Sequence, residues 1–212
     1  MFQVNGLIII SAIFSFIYLL SLNLYPFKLH WLIKGMSIIA IAIYSFFYIP
    51  NSFAFIFAVS LLFSACGDMF LAYDGQKFFI QGLISFLISH IIYAYIFFMN
   101  SGHFLNDLSV RVFLLVLMLT FFTVMLKVLS QKVGNLKIPV FIYMTALSCM
   151  VIASILIKDL NYLLILGALL FVLSDTLLAI QKFINSYKGI NYFIWITYYF
   201  AQMLLLAGMF KL

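Results

Sequence analysis

The stretch "NYLLILGALLFVLSDTLLAIQKF", Asn161 to Phe183, sets the fold class and poses the main problem. It is long and apolar enough to cross a bilayer, which takes about 20 residues. Yet it carries Asp175, with no further charge until Lys182. A carboxylate near the centre of a membrane helix costs about 2.5–3.5 kcal/mol on insertion scales. Such a residue needs a partner, a water-filled cavity or a chemical task. The chain does this twice. "ACGDMFLAYDGQKF", Ala65 to Phe78, places Asp68 in a similar setting. Both stretches read Asp-x-x-Leu-Ala and then Gln-Lys-Phe, with Asp74-Gly75 inserted in the earlier copy.

Composition agrees with a membrane chain. Of 212 residues, 67% are hydrophobic and 8% charged, too little charge to cover a soluble surface. No low-complexity tract or long loop separates the parts, so residues 1–212 read as one transmembrane domain. The net charge of +6 is spread between apolar spans and does not mark nucleic-acid binding. Apolar runs fall at roughly 4–24, 31–49, 52–72, 78–99, 109–130, 136–157, 161–181 and 190–210. Turn formers and charges separate them: Tyr25 to Lys28, Pro50-Asn51, Asp74-Gly75, Ser101 to His103 with Asn106-Asp107, Gln131 to Pro139, Lys158-Asp159 and Asn185 to Gly189. The expected fold is all-α, an integral membrane bundle of eight transmembrane helices. The first run lacks a basic leader and a cleavage site and reads as a retained helix.

Lysines give an orientation. Lys28, Lys34, Lys77, Lys127, Lys132, Lys137, Lys182 and Lys188 fall on one side, against Arg111, Lys158 and Lys211 on the other. The positive-inside rule then puts both termini outside the cytoplasm. Short loops with lysines on one side suit a bacterial inner membrane. Asp68 and Asp175 lie on the third and seventh spans, one or two turns before the cytoplasmic end of each. An offset of 105 residues pairs Lys77 with Lys182 and Tyr93 with Tyr198, a pattern compatible with a parallel four-plus-four repeat.

There is no glutamate, and Asp74, Asp107 and Asp159 fall in predicted loops. Asp68 and Asp175 are thus the two acids inside apolar segments. Other polar residues interrupt helices: Lys34, His90 with Tyr93 one turn on, Tyr143, Ser174, Tyr198 and Gln202. Each has a structural alternative. Lys34 either snorkels to the interface or meets a phosphate. His90 and Gln202 can be interhelical hydrogen bonders, and most of the 13 tyrosines must be packing or belt residues. Cys66 and Cys149 read as small packing residues, not a disulfide or metal pair.

Several chemistries lack their motifs. There is no Gly-x-Ser-x-Gly elbow, no His-Glu-x-x-His and no phosphate-binding Gly-Lys-Ser/Thr loop; His30, His90 and His103 sit on different segments. Two carboxyl groups in one low-dielectric cavity do not both ionise easily. One protonated acid and one carboxylate are the parts that cleave an acid-labile ether, as in glycosidases. The rival reading of paired intramembrane acids is a proton-coupled carrier.

The residues also resemble a known family. Gly67-Asp68 with Leu71-Ala72, Gly167-Ala168 with Phe171, Ser174-Asp175 with Leu178-Ala179, His90 with Tyr93, and Tyr198-Tyr199 with Ala201-Gln202 are similar to the lysoplasmalogenase (YhhN-like) family. Lys34 matches a family lysine that proline usually follows; here Gly35 follows. The resemblance implies a membrane hydrolase acting on the sn-1 vinyl ether of lysoplasmalogens drawn from the bilayer. It implies release of a fatty aldehyde, with no metal or organic cofactor. Asp68 and Asp175 would be the catalytic acids. Lys34, His90, Tyr93, Tyr143, Ser174, Tyr198 and Gln202 would meet the substrate.

Overall fold

A computed structural model describes residues 2–24, 29–73, 75–102 and 107–212. The predicted loop residues Tyr25 to Lys28, Asp74, and His103 to Asn106 lie outside the described residues. Among the described residues the chain folds into eight α-helices: α1 (Gly6–Ser21), α2 (His30–Tyr48), α3 (Ala54–Leu71), α4 (Gln76–Met99), α5 (Leu108–Ser130), α6 (Lys137–Ile155), α7 (Tyr162–Phe183) and α8 (Ile190–Met209). Seven, α2 to α8, are long and apolar enough to span a membrane. The chain is an integral membrane protein. Without water, a backbone must satisfy its own hydrogen bonds, and helices do so within one segment.

The first helix is shorter than its apolar run suggests. It has 16 residues, or about 24 Å of rise, against about 30 Å of hydrocarbon. Asn5 caps it, accepting from the Leu7 and Ile8 amides, and a 3₁₀ turn at Leu22–Leu24 follows. The short break before α3 has a simple cause. Pro50 disfavours helical backbone at the residue before it, and Ile49 is extended at φ −69°, ψ 125°.

The chain divides into two compact units. The first comprises Met1–Ile92 with Met209–Leu212, and the second Tyr93–Gly208. In the first, Tyr44 near the end of α2 exchanges hydrogen bonds with the backbone of Gln3. Its ring lies near Phe2 and Phe210, and Asn51 donates to the Met209 carbonyl. These contacts tie both chain ends to one end of α2.

In the second unit, α7 and α8 cross closely. A Cβ at Gly167 would lie 3.0 Å from the Leu205 amide nitrogen, and one at Gly208 3.1 Å from that of Leu164. Small residues allow such approach where lipid cannot drive helices together. Asn161 caps α7 and donates to the Gly208 carbonyl. The sole arginine, Arg111 on α5, is buried. It donates to the carbonyls of Ile155, Ile157 and Lys158, satisfying the end of α6.

Two expectations change. Cys66 and Cys149 are exposed on helix surfaces and are not core packing residues. The repeat is also shorter in structure than in sequence. Gln76-Lys77-Phe78 opens α4, whereas Gln181-Lys182-Phe183 closes α7. Only the Asp-x-x-Leu-Ala elements occupy comparable places, near the ends of α3 and α7.

Candidate active site

In the first unit, Asp68 stands one turn before the end of α3 and is 1% exposed. Lys34, in the second turn of α2, reaches it with Nζ 2.9 Å from Oδ1. The lysine side chain is 12% exposed, so it does not snorkel. Its ammonium also lies 5.8 Å from the Tyr18 ring centroid, at cation–π distance. The contact depends on close passage of α2 and α3. A Cβ at Gly35 would run into the Met69 side chain, so the glycine beside Lys34 makes room beside Asp68.

One turn before Lys34, His30 Nε2 donates to the Ala72 carbonyl at 2.7 Å. A carbonyl only accepts, which fixes that nitrogen as the donor. His30 and Lys34 are four residues apart, as are Ala72 and Asp68, so α2 grips the last turn of α3 at two successive rungs. His30 was missed as a site residue in the sequence reading; its i,i+4 spacing to Lys34 is the signal that could have found it. On the α4 side, Ser64 and Ser89 share a buried hydroxyl hydrogen bond of 2.7 Å. His90, fully buried, donates from Nδ1 to its own helix at Phe86.

In the second unit, Asp175 lies two turns before the end of α7 and is half-buried. Tyr143 of α6 donates to its Oδ2 at 2.5 Å. The neighbouring Ser174 is buried, and its hydroxyl donates to the Ile194 carbonyl of α8 at 3.0 Å. Ser174 thereby anchors α7 to α8 beside the acid. Tyr198 packs edge-on against Phe171 and lies near Trp195.

Tyr93 donates to Gln202 Oε1 at 2.8 Å, both side chains being fully buried. The Gln202 amide nitrogen has no hydrogen-bond partner among the described residues. A buried donor left unmade costs about 1–3 kcal/mol, so Gln202 carries a penalty that apolar packing would avoid.

The first unit thus holds an acid in an ion pair, and the second an acid held by a phenol. Asp68, Lys34 and His90 belong to the first; Tyr93, Tyr143, Ser174, Asp175, Tyr198 and Gln202 belong to the second. Among the described residues, no three of His, Cys, Asp or Glu gather as ligands.

Comparison with known proteins gives the family. The YhhN family profile matches residues 29–209, from just before α2 to the end of α8. The chain belongs to the YhhN family. Among curated YhhN-like relatives, it is 29% identical over 160 residues to the lysoplasmalogenase TMEM86A of Bos taurus, covering 69% of this chain and 62% of the relative. It is 31% identical over 154 residues to the lysoplasmalogenase of Mycobacterium bovis, covering 71% and 59%. It is 31% identical over 153 residues to human lysoplasmalogenase TMEM86A, covering 69% and 61%. The matches thus span about three fifths of these relatives' length. No solved structure matches the chain.

Proposed function

We propose that this YhhN protein hydrolyses the sn-1 vinyl ether bond of lysoplasmalogens, with ethanolamine or choline head groups. The observation that carries the reading is the Tyr143–Asp175 hydrogen bond between the apolar helices α6 and α7, in a chain whose curated relatives are named lysoplasmalogenases. Those enzyme names favour hydrolysis over the carrier alternative.

The chemistry needs an acid and water. A carboxyl proton adds to the β-carbon of the vinyl ether, leaving an oxocarbenium ion. Water adds to the carbon bearing oxygen, and the hemiacetal collapses to a fatty aldehyde and a glycerophospho alcohol. Asp175 suits the donor role, because Tyr143 donates to Oδ2 and so fixes the orientation of the carboxyl group. Asp68, held by Lys34 in the first unit, stays proposed as the second catalytic acid. Turnover is proposed to need both acids.

The ion pair also shapes our reading of Lys34, whose first role is to hold Asp68, with the lipid phosphate as its proposed alternative partner. His90, Tyr93, Tyr143, Ser174, Tyr198 and Gln202 remain proposed as lining or supporting residues. Gln202 has the strongest case, because its amide nitrogen has no partner among the described residues. The lysine distribution supports termini outside the cytoplasm in a bacterial inner membrane. The decisive experiment is aldehyde release from a lysoplasmenyl lipid by purified wild type beside Asp175→Asn. Release by wild type and none by a folded variant is expected. No release by folded wild type would refute the reading.

A further inference from the structure

The second unit has a cleft between α5 and α7. Its volume is about 250 Å³, and its walls include Leu117, Met118 and Phe121 of α5 and Val172 and Leu173 of α7. It runs along α7 from Leu169 to Thr176, two helical turns or about 10 Å. The Thr176 hydroxyl is taken up by the Val172 carbonyl of its own helix, so it offers the cleft no unsatisfied donor. Met118 and Val172 are buried, while Leu117 and Leu173 are about half exposed at 51% and 46%. The cleft therefore has a packed floor and an open rim.

Its size and position select an occupant. Pockets that enclose a whole drug-sized ligand run to about 300–1,000 Å³; this one fits a segment of a single hydrocarbon chain. Asp175 is not itself a wall residue, but on α7 it sits one turn after Val172 and one residue before Thr176, at the edge of the face that forms the wall. The proposed reaction makes that placement meaningful. The carbon that receives the proton is the second carbon of the lipid tail itself, so the rest of the tail must lead directly away from the acid. We infer that the α5–α7 cleft seats the alkenyl chain of a single-chain ether lipid and presents its first carbons to Asp175. The inference rests on the vinyl-ether reading for the identity of the lipid.

Lipid tails are as apolar as this cleft, so moving a tail from bilayer to cleft gains little hydrophobic free energy. Selection is by shape, and obstruction is the appropriate test. Leu117→Trp and Leu173→Trp place bulk at the exposed rim, where folding tolerates it. Leu119→Trp, exposed on the far side of α5, is the control. Kinetics compare lysoplasmenyl-ethanolamines with hexadecenyl and butenyl chains in mixed micelles. Each rim variant should lower kcat/KM for the long chain about tenfold, through KM, and change the short-chain value less than about twofold. Leu119→Trp should change neither. Equal loss at both lengths, or no loss, overturns the inference.

A second readout does not depend on turnover. A saturated alkyl-ether lysolipid with a diazirine in mid-chain should label residues 117–121 and 169–176, and Leu173→Trp should abolish that labelling. A long-chain lysolipid should compete, and a diacyl lipid should not. Such labelling without aldehyde release in any assay would keep the cleft as a single-chain lipid site and refute the hydrolase reading. Labelling spread over all lipid-facing helices, or displaced equally by diacyl lipid, would show ordinary bilayer lipid and overturn the inference.

Discussion

Lys34 Nζ meets Asp68 Oδ1 at 2.9 Å, one helical turn from the point where His30 holds the Ala72 carbonyl. Both contacts join α2 to the last turn of α3. Removing one partner of a buried ion pair strands the other charge, at a cost of about 3–5 kcal/mol in soluble proteins. Lys34→Met should therefore destabilise the protein strongly, and Lys34→Met/Asp68→Leu should recover much of the loss. Thermal unfolding in detergent checks this. A double variant no more stable than Lys34→Met would show that the ion pair is not what the lysine supplies.

The same pair bears on catalysis. If Lys34 holds Asp68 and not the substrate phosphate, Lys34→Ala lowers kcat and leaves KM within about twofold. A large rise in KM with kcat unchanged would return the lysine to the phosphate.

Asp175 and Tyr143 form the corresponding pair of the second unit. General acid catalysis contributes about 10²–10⁴-fold, so Asp175→Asn should lower aldehyde release by at least that range's lower bound while the fold persists. Tyr143→Phe removes one hydrogen bond to the acid, with about 1.5–3 kcal/mol at stake. A kcat loss of about ten- to a hundredfold is expected. Wild-type kcat in Tyr143→Phe would detach the phenol from the reaction.

Gln202 separates stability from function. Its buried amide nitrogen has no partner among the described residues, while its Oε1 accepts from Tyr93. Tyr93→Phe/Gln202→Leu, which removes both ends of that hydrogen bond together with the amide, should therefore leave the melting temperature unchanged or raise it, while activity falls. Such a trade marks residues kept for function at a cost in stability. Full activity in a stabilised variant would make Gln202 a packing residue.

Close helix crossings give the sharpest contrast between glycines. At Gly167 an added methyl meets the backbone of α8 at Leu205, which cannot turn aside. At Gly35 it meets the flexible Met69 side chain. Gly167→Ala should cost about 1–3 kcal/mol, the usual range for overpacking, and Gly35→Ala less than half as much. Thermal unfolding in detergent again decides, and equal losses would contradict the packing described.

Much of this architecture is legible in the amino-acid order. The helices and their breaks follow from apolar run length, Pro50, and the Asn, Gly and Lys clusters. A bilayer interior accepts only internally hydrogen-bonded backbone and leaves charges to the ends. The same logic singles out Asp68 and Asp175, since a carboxylate among so many apolar residues cannot be neutral ballast. Where run length failed, at α1 and in the extended repeat, the cause was local: a helix that stops at Ser21, and matching triplets that open one helix and close another.

What only the tertiary structure decided is who holds each acid. Nothing in sequence spacing distinguishes Tyr143 from the other tyrosines, or turns Lys34 from the membrane surface toward Asp68. Those choices depend on the register in which helices cross, which Gly35 helps set between α2 and α3. The fate of Ser174, spent on the Ile194 carbonyl, and of Arg111, spent on the end of α6, follows from the same cause. A side chain's chemistry belongs to the sequence; its partner is chosen by residues that lie far along the chain and meet only when helices pack.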